Sequence, residues 1–266
     1  MRYTIAVLCL LALPLAAQAE PTEYAYGEHP KQKLDVTTPA SASGAPIIVM
    51  VHGGGWRHGD KAMGRMVNNK SDHYVKKGYI FVSVNYRLLP DADPYEQAQD
   101  VAMAAKFVQD HATAWGGDAS HMVLMGHSAG AHLVSLLGAN PAGFGLKPWA
   151  ATIALDSGGM DIIETMQQRH FPLYDDAFGT DTAFWEKTSP EAQLTKEATP
   201  FLIVCSSKRQ SPCAQAKDFA RVAAPLGVLV EILPEDKSHA EINKDLGDDP
   251  RYTAQVDGFL MRVLGQ

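Results

Sequence analysis

The chain has 266 residues, 46% of them hydrophobic and 20% charged, with a formal net charge of −7. That balance supports a packed core, and no basic stripe or block of like charge is present, which argues against nucleic acid as a partner. No internal repeat, low-complexity tract or long Pro/Ser linker divides the chain, so a single domain is the economical reading.

The N-terminus reads as an export leader. Arg2 precedes an apolar stretch from Ile5 to Ala17, and Ala17-Gln18-Ala19 stands before Glu20 as an A-x-A cleavage site. Cleavage there leaves residues 20–266 as the mature domain and, with Arg2 gone, takes the net charge from −7 to −8. The stretch is short for a membrane span, and Cys9 lies inside it rather than at the cleavage point. An exported protein, periplasmic or secreted, without stable membrane insertion is therefore expected.

Past the leader, short β-branched or apolar runs alternate with longer helical patterns. Strands are predicted over 33–38, 47–52, 79–86, 122–127, 151–156, 201–206 and 228–233, and helices near 66–77, 95–114, 129–139, 213–226 and 250–264. This alternation is that of an α/β fold with a mostly parallel central sheet and helices on both faces. Between 157 and 198 the pattern becomes irregular, with Phe171, Tyr174, Phe178, Phe184 and Trp185 set among charges.

Two loops carry chemistry. His52-Gly53-Gly54-Gly55-Trp56 follows directly on the apolar run Ile47–Val51. Three glycines leave a backbone with no Cβ to shield it, so its N–H groups can face a developing oxyanion. Gly126-His127-Ser128-Ala129-Gly130 stands between the apolar run Met122–Met125 and a helical stretch. Strand, sharp turn and helix is the setting in which G-x-S-x-G becomes a nucleophile elbow, with the serine on a strained turn and its hydroxyl pushed outward. No HExxH, Cys-x-x-Cys, clustered-carboxylate, P-loop or dinucleotide pattern appears, so neither metal nor cofactor is expected.

On these motifs the chain resembles the α/β-hydrolase superfamily, and within it the HGGG-type esterases related to hormone-sensitive lipase, feruloyl esterases and arylformamidases. Tyr26-Gly27 with Gln32–Val36 looks like that group's opening strands, Asn85–Pro90 like the exit of its fourth strand, and Gly116-Gly117-Asp118 like the lead into its elbow strand. The resemblance implies Ser128 as nucleophile and an oxyanion hole of the Gly54, Gly55 and Ala129 N–H groups. It also implies a small cap over the site from the stretch after the sixth strand.

The base is assigned to His239, which follows the last predicted strand and completes the order serine, acid, histidine. The acid departs from the family pattern. Relatives place an aspartate a few residues before a Pro-x-x-Gln signature such as Pro212–Gln215, but here the intervening Ser206–Ser211 contains no carboxylate. Asp156, at the end of the sixth strand, where some lipases of this fold carry their acid, is the first choice. Asp161 is the second; Asp236, Glu241 and a dyad completed by water or Ser211 stay open. Cys205 and Cys213 bracket the acidless loop, and in an exported protein that spacing reads as a disulfide.

The implied activity is hydrolysis of a short-chain or aryl carboxylic ester through an acyl-enzyme. A small-molecule ester is the expected partner, and the oligomeric state is left open. An arylformamidase or other amidase would use the same residues, and a catalytically silent binding protein of the same fold is the reading from another class.

Overall fold

In the computed structural model, residues 20–266 are described; the leader read over 1–19 lies outside them. The strands are β1 Thr22–Ala25, β2 Lys33–Thr37, β3 Ala45–Val51, β4 Ile80–Val84, β5 Gly117–His127, β6 Ala151–Leu155, β7 Phe201–Ser206 and β8 Val230–Glu235. They form one sheet in the order β1-β2-β4-β3-β5-β6-β7-β8. β1 and β2 run antiparallel at one edge, and the strands from β4 to β8 are parallel. The α/β-hydrolase fold expected from the sequence is the observed architecture. β1 was absent from the predicted strands because Thr22–Ala25 is a short, largely exposed edge strand with little apolar signal.

Both faces of the parallel strands are covered, which explains their unbroken apolar runs. In β3, Ile47, Val49 and Val51 enter one core with α2 (Pro94–His111) and α3 (Ala129–Ala139). Ile48 and Met50 enter the other, with α1 (Gly64–Lys76) and the C-terminal helix of Pro250–Leu264. A third, smaller core joins β6 and β7 to the helix of Gln210–Ala223 through Ala154, Phe201, Ile203, Ala216 and Phe219.

The irregular stretch after β6 holds three short helices, α4 Ile162–Gln167, α5 Pro172–Phe178 and α6 Thr182–Thr188. At six or seven residues each, they are too short for a helical period to show in sequence. Each starts from an identifiable signal: Asp161 and Asp181 accept backbone N–H bonds as N-caps, and Pro172 opens α5. Two longer helices follow: α7 Gln210–Ala223 and, after the short α8 His239–Lys244, α9 Pro250–Leu264.

The chain turns from β3 toward β4 on one side and toward β5 on the other. The ends of β3 and β5 thus flank the switch point of the strand order, where ligands bind in open parallel sheets. The glycine loop leaves β3 there, and Ser128 leaves β5.

Candidate active site

Ser128 has φ 56° and ψ −120°, a conformation that side-chain-bearing residues avoid, and it leads directly into α3. Its N–H donates to the Leu155 carbonyl at 3.0 Å and its carbonyl accepts from His132 N–H at 3.1 Å, so both sides of the turn are held. The flanking glycine is a matter of space. A Cβ on Gly130 would lie 2.3 Å from the Val51 carbonyl oxygen, so only glycine lets the elbow pack on the end of β3.

The glycine loop meets the elbow at Gly53, where a Cβ would come within 2.9 Å of Ser128 Cβ. Gly54 and Gly55 follow with φ of 128° and 59°, and Trp56 with φ 59°. The Gly54 carbonyl is taken by the N–H groups of Arg57 and His58. The N–H groups of Gly54, Gly55 and Ala129 are left outside the hydrogen bonds among the described residues.

Neighbouring elements brace this loop. The Tyr86 hydroxyl donates to the His52 carbonyl at 2.9 Å; Gln97 Nε2 and the Leu89 N–H both reach the Trp56 carbonyl. The Asn85–Pro90 motif acquires a physical meaning. Tyr86 holds the loop, and Arg87 forms a two-pronged ion pair with the fully buried Asp100 of α2. The Trp56 indole donates to His132 Nδ1 at 3.2 Å, and His132 Nε2 donates to the Thr188 carbonyl at 2.7 Å. One neutral imidazole thereby links the glycine loop, the elbow helix and the cap. Burial lowers its pKa to about 4, which keeps it neutral.

His239 is the first residue of α8, capped by Ser238 and Glu241 in a reciprocal capping box. Its Nδ1 lies 2.7 Å from Asp156 Oδ2. His127, in the elbow, donates from Nε2 to the His239 carbonyl at 2.9 Å, and the two rings lie 4.5 Å apart. Burial, then the adjacent His239, push the His127 pKa down to about 3, so it acts as a neutral strut.

Asp156 is fully buried, with φ 53°. Its Oδ1 accepts the Ser206 N–H at 2.8 Å; its Oδ2 accepts from His239 and from Arg209 Nη1 at 2.6 Å. Burial by itself would raise its pKa, but the bonds from His239 and Ser206 and the Arg209 charge outweigh this and hold it below the ordinary carboxylate range.

The other carboxylates weighed for this position are engaged elsewhere. Asp161 caps α4 and accepts from the Ser189 hydroxyl; Asp236 is largely exposed near Lys208; Glu241 closes the capping box. Ser211 lies in the first turn of α7, on the wall of an adjacent cleft.

Arg209 is the residue that the sequence did not single out. It comes from the acidless loop after β7, and its Nη1 is also 2.9 Å from His239 Nδ1. Two donors share Asp156 Oδ2. With the proton on His239 Nδ1, the short N···N approach follows from that sharing and is not itself a hydrogen bond. The available signal was one of charge: the loop contains only Lys208 and Arg209 as charged groups, and it runs beside the end of β6, where Asp156 sits. Cys205 and Cys213 are joined, with Cα atoms 5.2 Å apart, and Arg209 stands midway in the ring they close. Among the described residues, no group of three or more His, Cys, Asp or Glu is arranged to hold a metal ion.

The BD-FAE family model matches residues 34–146, from β2 past the elbow. Isoprenylcysteine alpha-carbonyl methylesterase ICME of Arabidopsis thaliana is 28% identical over 242 residues, covering 82% of this chain and 56% of that protein. Esterase LipC of Mycobacterium tuberculosis is 26% identical over 225 residues, 73% of this chain and 52% of its own. The chain spans about half the length of these curated relatives. Among solved structures, a thermophilic esterase of Thermogutta terrifontis superposes with a TM-score of 0.75 at 21% identity and 94% coverage of both chains. Esterase B of Lactobacillus rhamnosis gives 0.73 at 22%, covering 92% of this chain and 84% of that one. The chain has the α/β-hydrolase fold, and the proteins it is similar to in sequence are ester hydrolases.

Proposed function

We propose that the chain is a serine carboxylic ester hydrolase, acting on short-chain or aryl esters through an acyl-enzyme. The observation that carries the reading is the 2.7 Å contact of His239 Nδ1 with the buried Asp156, beside a serine held at φ 56° on a strand-to-helix turn. Its relatives are ester hydrolases, and the Thermogutta terrifontis enzyme has been phosphonylated by sarin.

In this reading Asp156 keeps the proton on His239 Nδ1, which frees Nε2 to take the Ser128 hydroxyl proton. Ser128 Oγ then attacks the ester carbonyl carbon. The negative charge on the carbonyl oxygen is received by the N–H groups of Gly54, Gly55 and Ala129. His239 returns the proton to the departing alkoxide, leaving an alcohol and an acyl-serine. A water molecule, deprotonated by the same Nε2, attacks the acyl carbon, and collapse restores Ser128 and releases the acid. The export leader and the Cys205–Cys213 pair support a site of action outside the cytoplasm, periplasmic or secreted.

The test is Ser128→Ala. Turnover of p-nitrophenyl acetate and butyrate should fall by several orders of magnitude, and labelling by a phosphonate should disappear, with the melting temperature kept. Retained labelling would overturn the nucleophile. Faster cleavage of N-formylaniline than of phenyl acetate would move the reaction class from esters to amides.

A further inference from the structure

A cleft of about 820 Å³ opens between the cap and the start of α7, walled by Arg169, Tyr174, Arg209, Ser211 and Gln215. It borders the Asp156–His239 pair through Arg209, which lines the cleft and lies against both. Tyr174 packs edge-on to Trp56 of the glycine loop, ring centres 5.4 Å apart, and so closes the cleft on the loop side.

In a chain of net charge −7, this wall carries two arginines, Arg169 and Arg209, against one carboxylate, Glu164. Arg209 commits Nη1 to Asp156, while the side chain remains 31% exposed, and Nη2 lies 3.9 Å from where a Cβ on Gly158 would sit, on the cleft lining. A guanidinium offers five N–H donors in a planar fork, so the edge turned away from Asp156 keeps donors for a second carboxylate. Arg169 stands on the same wall with its side chain exposed. His170 lies beside it, and its pKa is raised by the bond to Asp175. Glu164, the acidic residue of the lining, is turned to the amide groups of Gln168 and Gln215.

Resting on the hydrolase reading, we infer that this cleft is a subsite for a carboxylate carried by the substrate, with Arg209 and Arg169 as its specificity-determining residues. The favoured esters are then those whose acyl or alcohol part bears a negative charge. The acidless loop acquires a purpose: in place of a triad carboxylate it presents a cation that touches Asp156 on one edge and the substrate on the other.

Two matched pairs test this, monoethyl glutarate against diethyl glutarate and 4-acetoxybenzoate against 4-acetoxybenzamide. They put the charge on the acyl and on the alcohol side respectively. Wild-type kcat/KM should favour the anion by about tenfold in at least one pair, through KM. That ratio should collapse toward one in Arg169→Gln and in Arg209→Gln. A wild-type ratio near one in both pairs, or a ratio untouched by both substitutions, would overturn the proposal. Calorimetric binding of 4-acetoxybenzoate and 4-acetoxybenzamide to Ser128→Ala separates this from the function itself. A preference for the anion in binding without turnover of any ester by the wild type sinks the hydrolase reading and keeps the subsite. Turnover with no anion preference does the reverse.

Discussion

Asp156 gathers three donors on a buried carboxylate and spends a left-handed backbone conformation to do so. Replacing it by asparagine keeps the volume but offers an amide that can hold the wrong imidazole tautomer and cannot stabilise the imidazolium. Asp156→Asn should lower kcat by about 10²–10⁴-fold with KM nearly unchanged. Asp161→Ala should behave differently: losing the α4 cap costs about 1 kcal/mol of stability, seen as a lower melting temperature, while kcat holds within a few-fold. A reversal of the two results would move the acid five residues along the chain.

The pH dependence of stability follows from the same carboxylate. The folded Asp156 has a pKa below its unfolded value, so it contributes stability that is present above the unfolded carboxylate range and drains away as pH falls through the folded value. Urea titrations between pH 6 and pH 3 should show the wild type losing more stability than Asp156→Asn over that window. Parallel curves would mean that the carboxylate is not held in its ionised form by the fold.

Among elements, the position of α8 decides where the histidine sits, and α1 decides the position of α8. Asn69 Nδ2 donates to the Lys244 carbonyl at 2.8 Å, and the fully buried Lys70 reaches the Asn243 carbonyl. These two adjacent residues of α1 satisfy carbonyls at the C-terminal end of the helix that His239 begins. Burial pushes the Lys70 pKa down to about 7, against an unfolded value near 10.4. Between those values the unfolded chain binds a proton that the folded one does not, so this group makes stability rise with pH. Relative to Lys70→Met, the wild type should gain about 2 kcal/mol from pH 7 to pH 9, read from denaturant titrations. A constant difference would show that Lys70 keeps an ordinary pKa.

The loop after β7 is the other element that sets the site. Peptide mapping without reduction should find Cys205 and Cys213 joined; free alkylation of both would contradict the pairing. Reduction should lower the melting temperature by roughly 4–12 °C. So short a ring removes only about 2–3 kcal/mol of unfolded-chain entropy, and a domain of this size shifts by about 2–4 °C per kcal/mol. The larger effect should be on Arg209, which the ring presents to Asp156.

Across the whole molecule, much of the architecture could be read from the chain because each core strand states its burial locally. Val49 and Met50 point into opposite cores, and both are apolar, so a fully covered parallel strand announces itself within a few residues. The helices α2, α3 and α9 were legible for the same reason, each burying a long apolar stripe. The cap helices were not, because α4, α5 and α6 draw their stability from tertiary contacts such as Phe178 against Trp56, which no local period encodes.

The same division runs through the candidate site. The elbow and the glycine loop are local devices: their glycines, the strand before them and the serine's place in the turn all lie within a few residues, so sequence alone marks Ser128 and Gly53–Gly55. Which carboxylate meets His239 is a contact across 83 positions, and the sequence left Asp156, Asp161, Asp236 and Glu241 in competition. That Arg209 joins them depends on β7 lying beside β6, so that the loop after one strand crosses the end of the other. Side-chain chemistry names the candidates, but only the packing of the sheet sets the ångström-scale distances on which charge–charge and hydrogen-bond energies depend.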